Sequence, residues 1–208
     1  MVETDKRELI IKGAIKRFAH FGVNKTTMAE IAEDLSFSKP ALYYYFPDKQ
    51  NLIIAVAEKL ISEYLLEVES NLQLSAEPEA ALIDLIDLRR NFSQKYFMLY
   101  IGDEHSEAYL KNKAFKDLMR KAKEKEVSII SVCLQKGIQK GRFKTIDTMK
   151  MAELFLDTLK GLRVCMLMEN SPFPNADSFE LLLNKQKEVA QLFINGIKNY
   201  GDGRADTK

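Results

Sequence analysis

Residues 10–53 read IIKGAIKRFAHFGVNKTTMAEIAEDLSFSKPALYYYFPDKQNLI, and the punctuation inside this stretch decides the fold. Ile10, Ile11, Ala14, Ile15 and Phe18 recur three and four residues apart. That spacing is one apolar stripe of a helix from about Asp5 to Phe21, with Gly22 as its stop. Thr27, followed three residues later by Glu30, is a capping box that starts a short helix turning Ile31, Ala32 and Leu35 inward. Leu35-Ser36-Phe37 leaves room only for a tight turn. Ser38 then caps a second short helix. Pro40 is tolerated in its first turn, where N–H groups lack helical partners anyway, and Leu42, Tyr45 and Phe46 share the inner face. After Pro47, Asp48 caps a long amphipathic helix to about Leu72, of the kind that joins a small head to a larger body.

Working outward, the rest of the 208 residues keeps helical periodicity, with only nine Gly, five Pro and no strand-like alternation. Ser75 to Pro78 breaks the long helix. Further helices are expected near 78–100, 106–139, 148–169 and 177–199, separated by Gly102-Asp103, Gly141-Arg142 and Asn170 to Asn175. The fold class is therefore all-α. An N-terminal three-helix head, residues 1–50, is joined by the long helix to a helical body, residues 51–200, and the tail 201–208 is expected to be disordered.

Composition excludes several classes. Uninterrupted apolar runs such as Val164 to Met168 fall far short of the roughly 18 residues of a membrane span, and no leader precedes an apolar stretch, so a soluble cytoplasmic protein is expected. Cys133 and Cys165 sit among aliphatic residues and read as two buried reduced thiols. No metal, cofactor or catalytic constellation is expected. His20 and His105 are isolated, and acid pairs such as Asp84 with Asp87 and Glu153 with Asp157 read as solvated faces. Net charge is uninformative, because residues 1–50 hold eight Lys/Arg against seven Asp/Glu. A phosphate partner must be argued from local placement, since charge acts within a Debye length of about 8 to 10 Å.

Two short helices joined by a tight turn and packed on a preceding helix make a helix-turn-helix, whose second helix enters the major groove of DNA. With Leu42, Tyr45 and Phe46 inside, the outer arc of the second helix is Lys39, Pro40, Ala41, Tyr43 and Tyr44. A solvated face rarely carries adjacent tyrosines and no acid. Phenol hydroxyls and a lysine suit phosphates, and small or cyclic residues allow close approach to thymine methyls. The alternative is a helix packed on another protein surface, where exposed Tyr is also common. Thr27 at one helix start and Lys49 at another add donors where phosphates would run.

The same stretch resembles the DNA-binding head of the tetracycline-repressor (TetR) family. The likeness rests on Ile10 through Phe18 to Gly22, Thr26-Thr27, Ile31-Ala32, Ser38-Lys39, and Leu42-Tyr43-Tyr44-Tyr45-Phe46 followed by Asp48-Lys49, in order and without gaps. The resemblance implies that Thr27, Tyr43, Tyr44 and Lys49 hold phosphates, that Lys39, Pro40 and Ala41 following the Ser38 cap meet base edges, and that Ala29 lies close to the groove. It also implies a homodimer on a near-palindromic double-stranded operator, released by a small-molecule effector. Three residues depart from the family's usual pattern: Ser36 and Pro40 stand where Gly is frequent, and Phe37 where Val is. Ser36 predicts a strained turn, at about 1 kcal/mol for a non-Gly left-handed residue. Because Ala29, Pro40 and Ala41 offer no hydrogen-bonding side chain, only Lys39 reaches guanine acceptors.

The body carries more aromatic residues than a minimal bundle needs. Tyr64, Phe92, Tyr96, Tyr100, Phe115, Met119, Phe155, Leu159 and Met166 are the candidates for lining an effector cavity, with Phe97, Tyr109 and Met168 nearby in sequence. Most such residues serve packing. Gly137 and Gly141 in KGIQKGRF end a helix in a manner that also resembles the family's body. The last two helices carry Phe155, Leu162, Leu167, Leu182, Val189, Leu192, Phe193 and Ile197 on more than one side, which predicts a second partner and a dimer through those helices.

Overall fold

The structure, a computed structural model, describes residues 3–95, 112–169 and 176–200. Within them the chain forms α1 (Glu3–Phe21), α2 (Met28–Asp34), α3 (Lys39–Tyr45), α4 (Lys49–Leu74), α5 (Pro78–Lys95), α6 (Lys113–Gln139), α7 (Thr148–Glu169) and α8 (Ala176–Ile197). The all-α expectation holds among the described residues. Among the described residues the extended pairing is one isolated bridge between Phe143 and Lys198. The expected break at Gly102-Asp103, the loop 170–175 and the tail 201–208 lie outside the described residues. No described helix is long and apolar enough to cross a membrane.

The chain divides into two compact units, residues 1–64 with 92–122 and residues 65–91 with 123–208. The first unit contains α1, α2, α3 and the opening of α4. Its core is built from Ile10, Ile11, Ala14, Phe18, Ile31, Ala32, Leu42, Phe46, Leu52, Val56 and Leu60, and Phe92 packs against it. Ile15 and Tyr45, read as inward, are half-buried. Each helix start is held by the residue its sequence position predicts. Thr27 Oγ1 accepts from the Glu30 N–H, Ser38 Oγ from the Ala41 N–H, and Asp48 Oδ1 from the Asn51 N–H at 2.7 Å. Such caps are worth about 0.5–2 kcal/mol each. The turn between α2 and α3 closes with Phe37 N–H donating to Ala32 O at 2.8 Å, and Ser36 adopts φ 55°, the strained left-handed conformation expected of it.

The second unit packs α7 on α8. Phe155 meets Phe193 with ring centroids 4.8 Å apart, and the buried Gln186 amide donates to Leu159 O at 2.9 Å. Gly141, at φ 69°, turns the chain out of α6, and the loop then pairs with the end of α8 through Lys144 N–H to Ile197 O and Asn199 N–H to Arg142 O, both 2.8 Å. Gly137 is required for a different reason. A Cβ there would stand 2.1 Å from the buried Phe143 ring. Cys133 is buried, and burial pushes its thiol up to about 11. Cys165 corrects the expectation of two buried thiols: it is exposed, because it falls on the side of α7 opposite Ala152, Leu156 and Leu159.

Candidate nucleic-acid interface

α3 presents Lys39, Pro40, Tyr43 and Tyr44 outward, with Tyr43 47% and Tyr44 73% exposed, while Leu42 is fully buried and Ala41 half-buried. Large aromatic rings at that exposure leave apolar area in water, a cost that contact with a partner removes. The Tyr44 ring is fixed edge-on against Tyr45 at 5.2 Å, so one of the two outward phenols is held by its inner neighbour. Ser38, spent as the cap, orients this helix. Ala29 is half-buried on α2. Lys49 begins α4 half-buried, its Nζ 3.5 Å from Asn24 O.

Thr27 is exposed, as a phosphate donor must be, but Glu30 already engages it. Its N–H and its hydroxyl both donate to Glu30 Oε2, at 2.7 and 2.8 Å. Those two bonds, ahead of the nearby Arg17 charge, hold the Glu30 carboxyl below its ordinary range. Arg17 of α1 bridges Glu30 at 3.0 Å and Asp34 at 2.7 Å, and its guanidinium lies over the Phe21 ring at 4.9 Å. It therefore ties α1 to both ends of α2 and offsets the acids beside the Thr27 cap. Arg7 lies over the Phe46 ring at 5.1 Å in the same way. Neither arginine was among the sequence candidates, because contacts between helices leave no fixed spacing to read.

The effector candidates divide. Tyr64 and Phe92 meet in the first unit with centroids 4.9 Å apart; Phe115 there is half-buried and Met119 exposed. Phe155, Leu159 and Met166 belong to the second unit, where Phe155 and Leu159 are packed into its core at 1% and 0% exposure. Tyr96 and Tyr100 lie outside the described residues, as do Phe97, His105 and Tyr109. On α7 and α8 the outward large apolar residues include Met149, Leu154, Val164, Met168, Leu181 and Leu192. Of the residues expected on a second apolar face, Leu192 is exposed at 71%, whereas Phe155, Leu182 and Ile197 point inward.

The profile of bacterial regulatory proteins, tetR family, matches residues 10–63, which run from the first buried isoleucine of α1 into α4. A transcriptional regulator of Cytophaga hutchinsonii of known structure is 33% identical, with a TM-score of 0.84 over 93% of this chain and 98% of that one. The regulator RutR of Escherichia coli is 34% identical over 91 residues, 44% of this chain and 42% of RutR, so the match spans less than half of that relative. The fatty acid metabolism regulator of Bacillus subtilis is 20% identical over 91% of this chain and 94% of its own length. With its matching head and a relative that follows it almost end to end, the chain belongs to the tetR family of bacterial regulatory proteins, which are transcription regulators and not enzymes.

Proposed function

We propose that this chain is a homodimeric, cytoplasmic, ligand-responsive repressor that reads a near-palindromic operator with α3 and leaves it when a small apolar or aromatic effector binds. The carrying observation is the outer face of α3, which offers one ammonium, two phenols and no acid on a helix whose inner face is fully engaged. Lys39, Pro40 and Ala41 meet base edges. Tyr43, Tyr44 and Lys49 meet phosphates, and Thr27 joins them when a phosphate displaces the Glu30 carboxylate toward Arg17. Dimerisation uses the outward apolar residues of α7 and α8, since Leu154, Val164, Met168, Leu181 and Leu192 would otherwise remain wet. The effector reading draws on Tyr64 and Phe92, because Phe92 also packs on the core that carries α3, so a ligand that moves this pair strains the head.

Selection of bound fragments from the genomic DNA of the source organism tests the reading. A recovered palindrome with half-sites one helical turn or a multiple apart, about 34 Å, is the expected result. Failure to bind any DNA at low salt would instead favour a protein-binding role for Tyr43 and Tyr44.

A further inference from the structure

The outer stripe of α8 is complementary to itself read backwards. Leu181, Lys185, Glu188 and Leu192 are all exposed, and their spacing of four, three and four residues sets them on one narrow arc of the helix. Leu182, Leu183, Gln186, Ala190 and Ile194 of the same helix are buried, so its inner face is already committed. Two further charges on α8 have partners within the chain, Lys187 with Asp87 at 2.8 Å and Glu180 with Arg90. Lys185 and Glu188 make no hydrogen bond or ion pair with any described residue. The stripe therefore has a leucine at each end and one charge of each sign between them, with its midpoint between Gln186 and Lys187.

We propose that α8 pairs antiparallel with α8 of a second copy in one register, Leu181 against the partner's Leu192 and Lys185 against the partner's Glu188. This rests on the dimer reading above and adds the charge pair that sets its alignment. A twofold axis at the midpoint of the stripe generates all four contacts together, because an isologous interface meets itself. Other alignments fail on charge. Parallel pairing sets Lys185 on the partner's Lys185 and Glu188 on the partner's Glu188. Antiparallel pairing centred on either charged residue sets that residue on its own copy. Centred on the midpoint, each ammonium meets a carboxylate, and the leucines, about 8 Å to either side at 1.5 Å per residue, close the ends of the stripe. Within one chain the same two residues, three apart on a helix open to water, gain little from each other. Between copies the leucines displace that water, which strengthens both symmetric contacts.

The test uses two single variants of the full-length protein, Lys185→Glu and Glu188→Lys, each of which places like charges at the centre of the stripe. Co-expressed in equal amounts with different tags, they form a mixed dimer in which both contacts again unite opposite charges. Each variant's own dimer should be weakened about tenfold, or about 1.4 kcal/mol over the two contacts, so native mass spectrometry should find about nine-tenths mixed dimers in place of the statistical half. Single variants that are monomers alone and dimerise only when mixed give the same support. The chain carrying both substitutions should dimerise as tightly as wild type, which separates the pairing from any effect of one charge on α8 itself. A mixed fraction of one half, or a doubly substituted chain that dissociates while the wild type stays dimeric, overturns the register and leaves the dimer reading standing. A wild-type chain that sediments as a monomer removes both.

Discussion

The pair α2 and α3 and the pair α7 and α8 solve opposite problems. The first pair consists of helices of seven residues each, too short to persist alone, held by a capping box, a Ser cap and a shared core with α1 and α4. Its outer face is amphipathic, ending in phenols and an ammonium. The second pair consists of helices of 22 residues each, long enough to be helical with few caps, and its outer face carries Leu154, Val164, Met168, Leu181 and Leu192. On the proposed reading, two long helices that leave these apolar residues outside form one wall of a core whose other wall is a second copy of the chain.

The strongest way to break this comparison is to charge the second pair. Val164→Glu with Leu192→Glu adds two acids to outward positions, where the single chain has nothing to clash with and folding should survive. Sedimentation should report monomers, and operator affinity should fall by about 10²- to 10⁴-fold as the second half-site loses its linkage to the first. A soluble dimer would place the interface elsewhere. Phe193 is the wrong target for this purpose, because its ring is committed to Phe155.

The next effect in size separates two glycines. At Gly137 an added Cβ meets the buried Phe143 ring at 2.1 Å, whereas at Gly13 it meets the tip of the Leu35 side chain at 2.9 Å. The ring is held between α6 and the bridge to Lys198, while a leucine tip can rotate. Gly137→Ala should therefore cost about 1–3 kcal/mol in chemical denaturation, and Gly13→Ala clearly less. Equal losses would mean that the 142–144 loop yields as readily as a side chain.

These contrasts also mark what a sequence discloses. The caps at Thr27, Ser38 and Asp48 and the outward arc of α3 follow from neighbours within four residues, while the turn strain at Ser36 is legible only through the family resemblance, in which Gly is frequent there. Arg17 was not legible, because its acids lie on another helix and only the crossing of α1 and α2 brings them together. The inward commitment of Phe155 and Leu159 was equally hidden. An apolar residue on a long helix reads alike whether it packs in the core or lines a cavity, and the answer depends on the partner helix. Cys165 was misjudged for the same reason.

Within the head, Lys39 and Lys49 sharpen the division between reading and holding. Lys39→Ala should relax preference at one symmetric pair of base pairs in a binding-site selection, by about 1–3 kcal/mol. Lys49→Ala should weaken all sequences about equally and reduce the salt slope by about one unit per subunit. An unchanged motif for the first, or unequal losses for the second, would exchange their roles.

The smallest expected effect concerns Ser36, the sole described non-glycine residue with positive φ. At φ 55° its Cβ crowds the following carbonyl, and glycine would adopt the same conformation without that crowding. Glycine also gains freedom in the unfolded chain, which opposes the relief. The serine N–H donates to Glu33 O at 3.0 Å, a backbone bond that the substitution keeps. The balance should leave Ser36→Gly about 0.5–1 kcal/mol more stable in urea unfolding, with operator affinity unchanged, because the turn geometry that aims α3 is already that of a glycine turn. A loss of stability would mean that the serine side chain contributes more than its backbone costs. A change in affinity at constant stability would mean that the strain itself sets the angle at which α3 meets the groove.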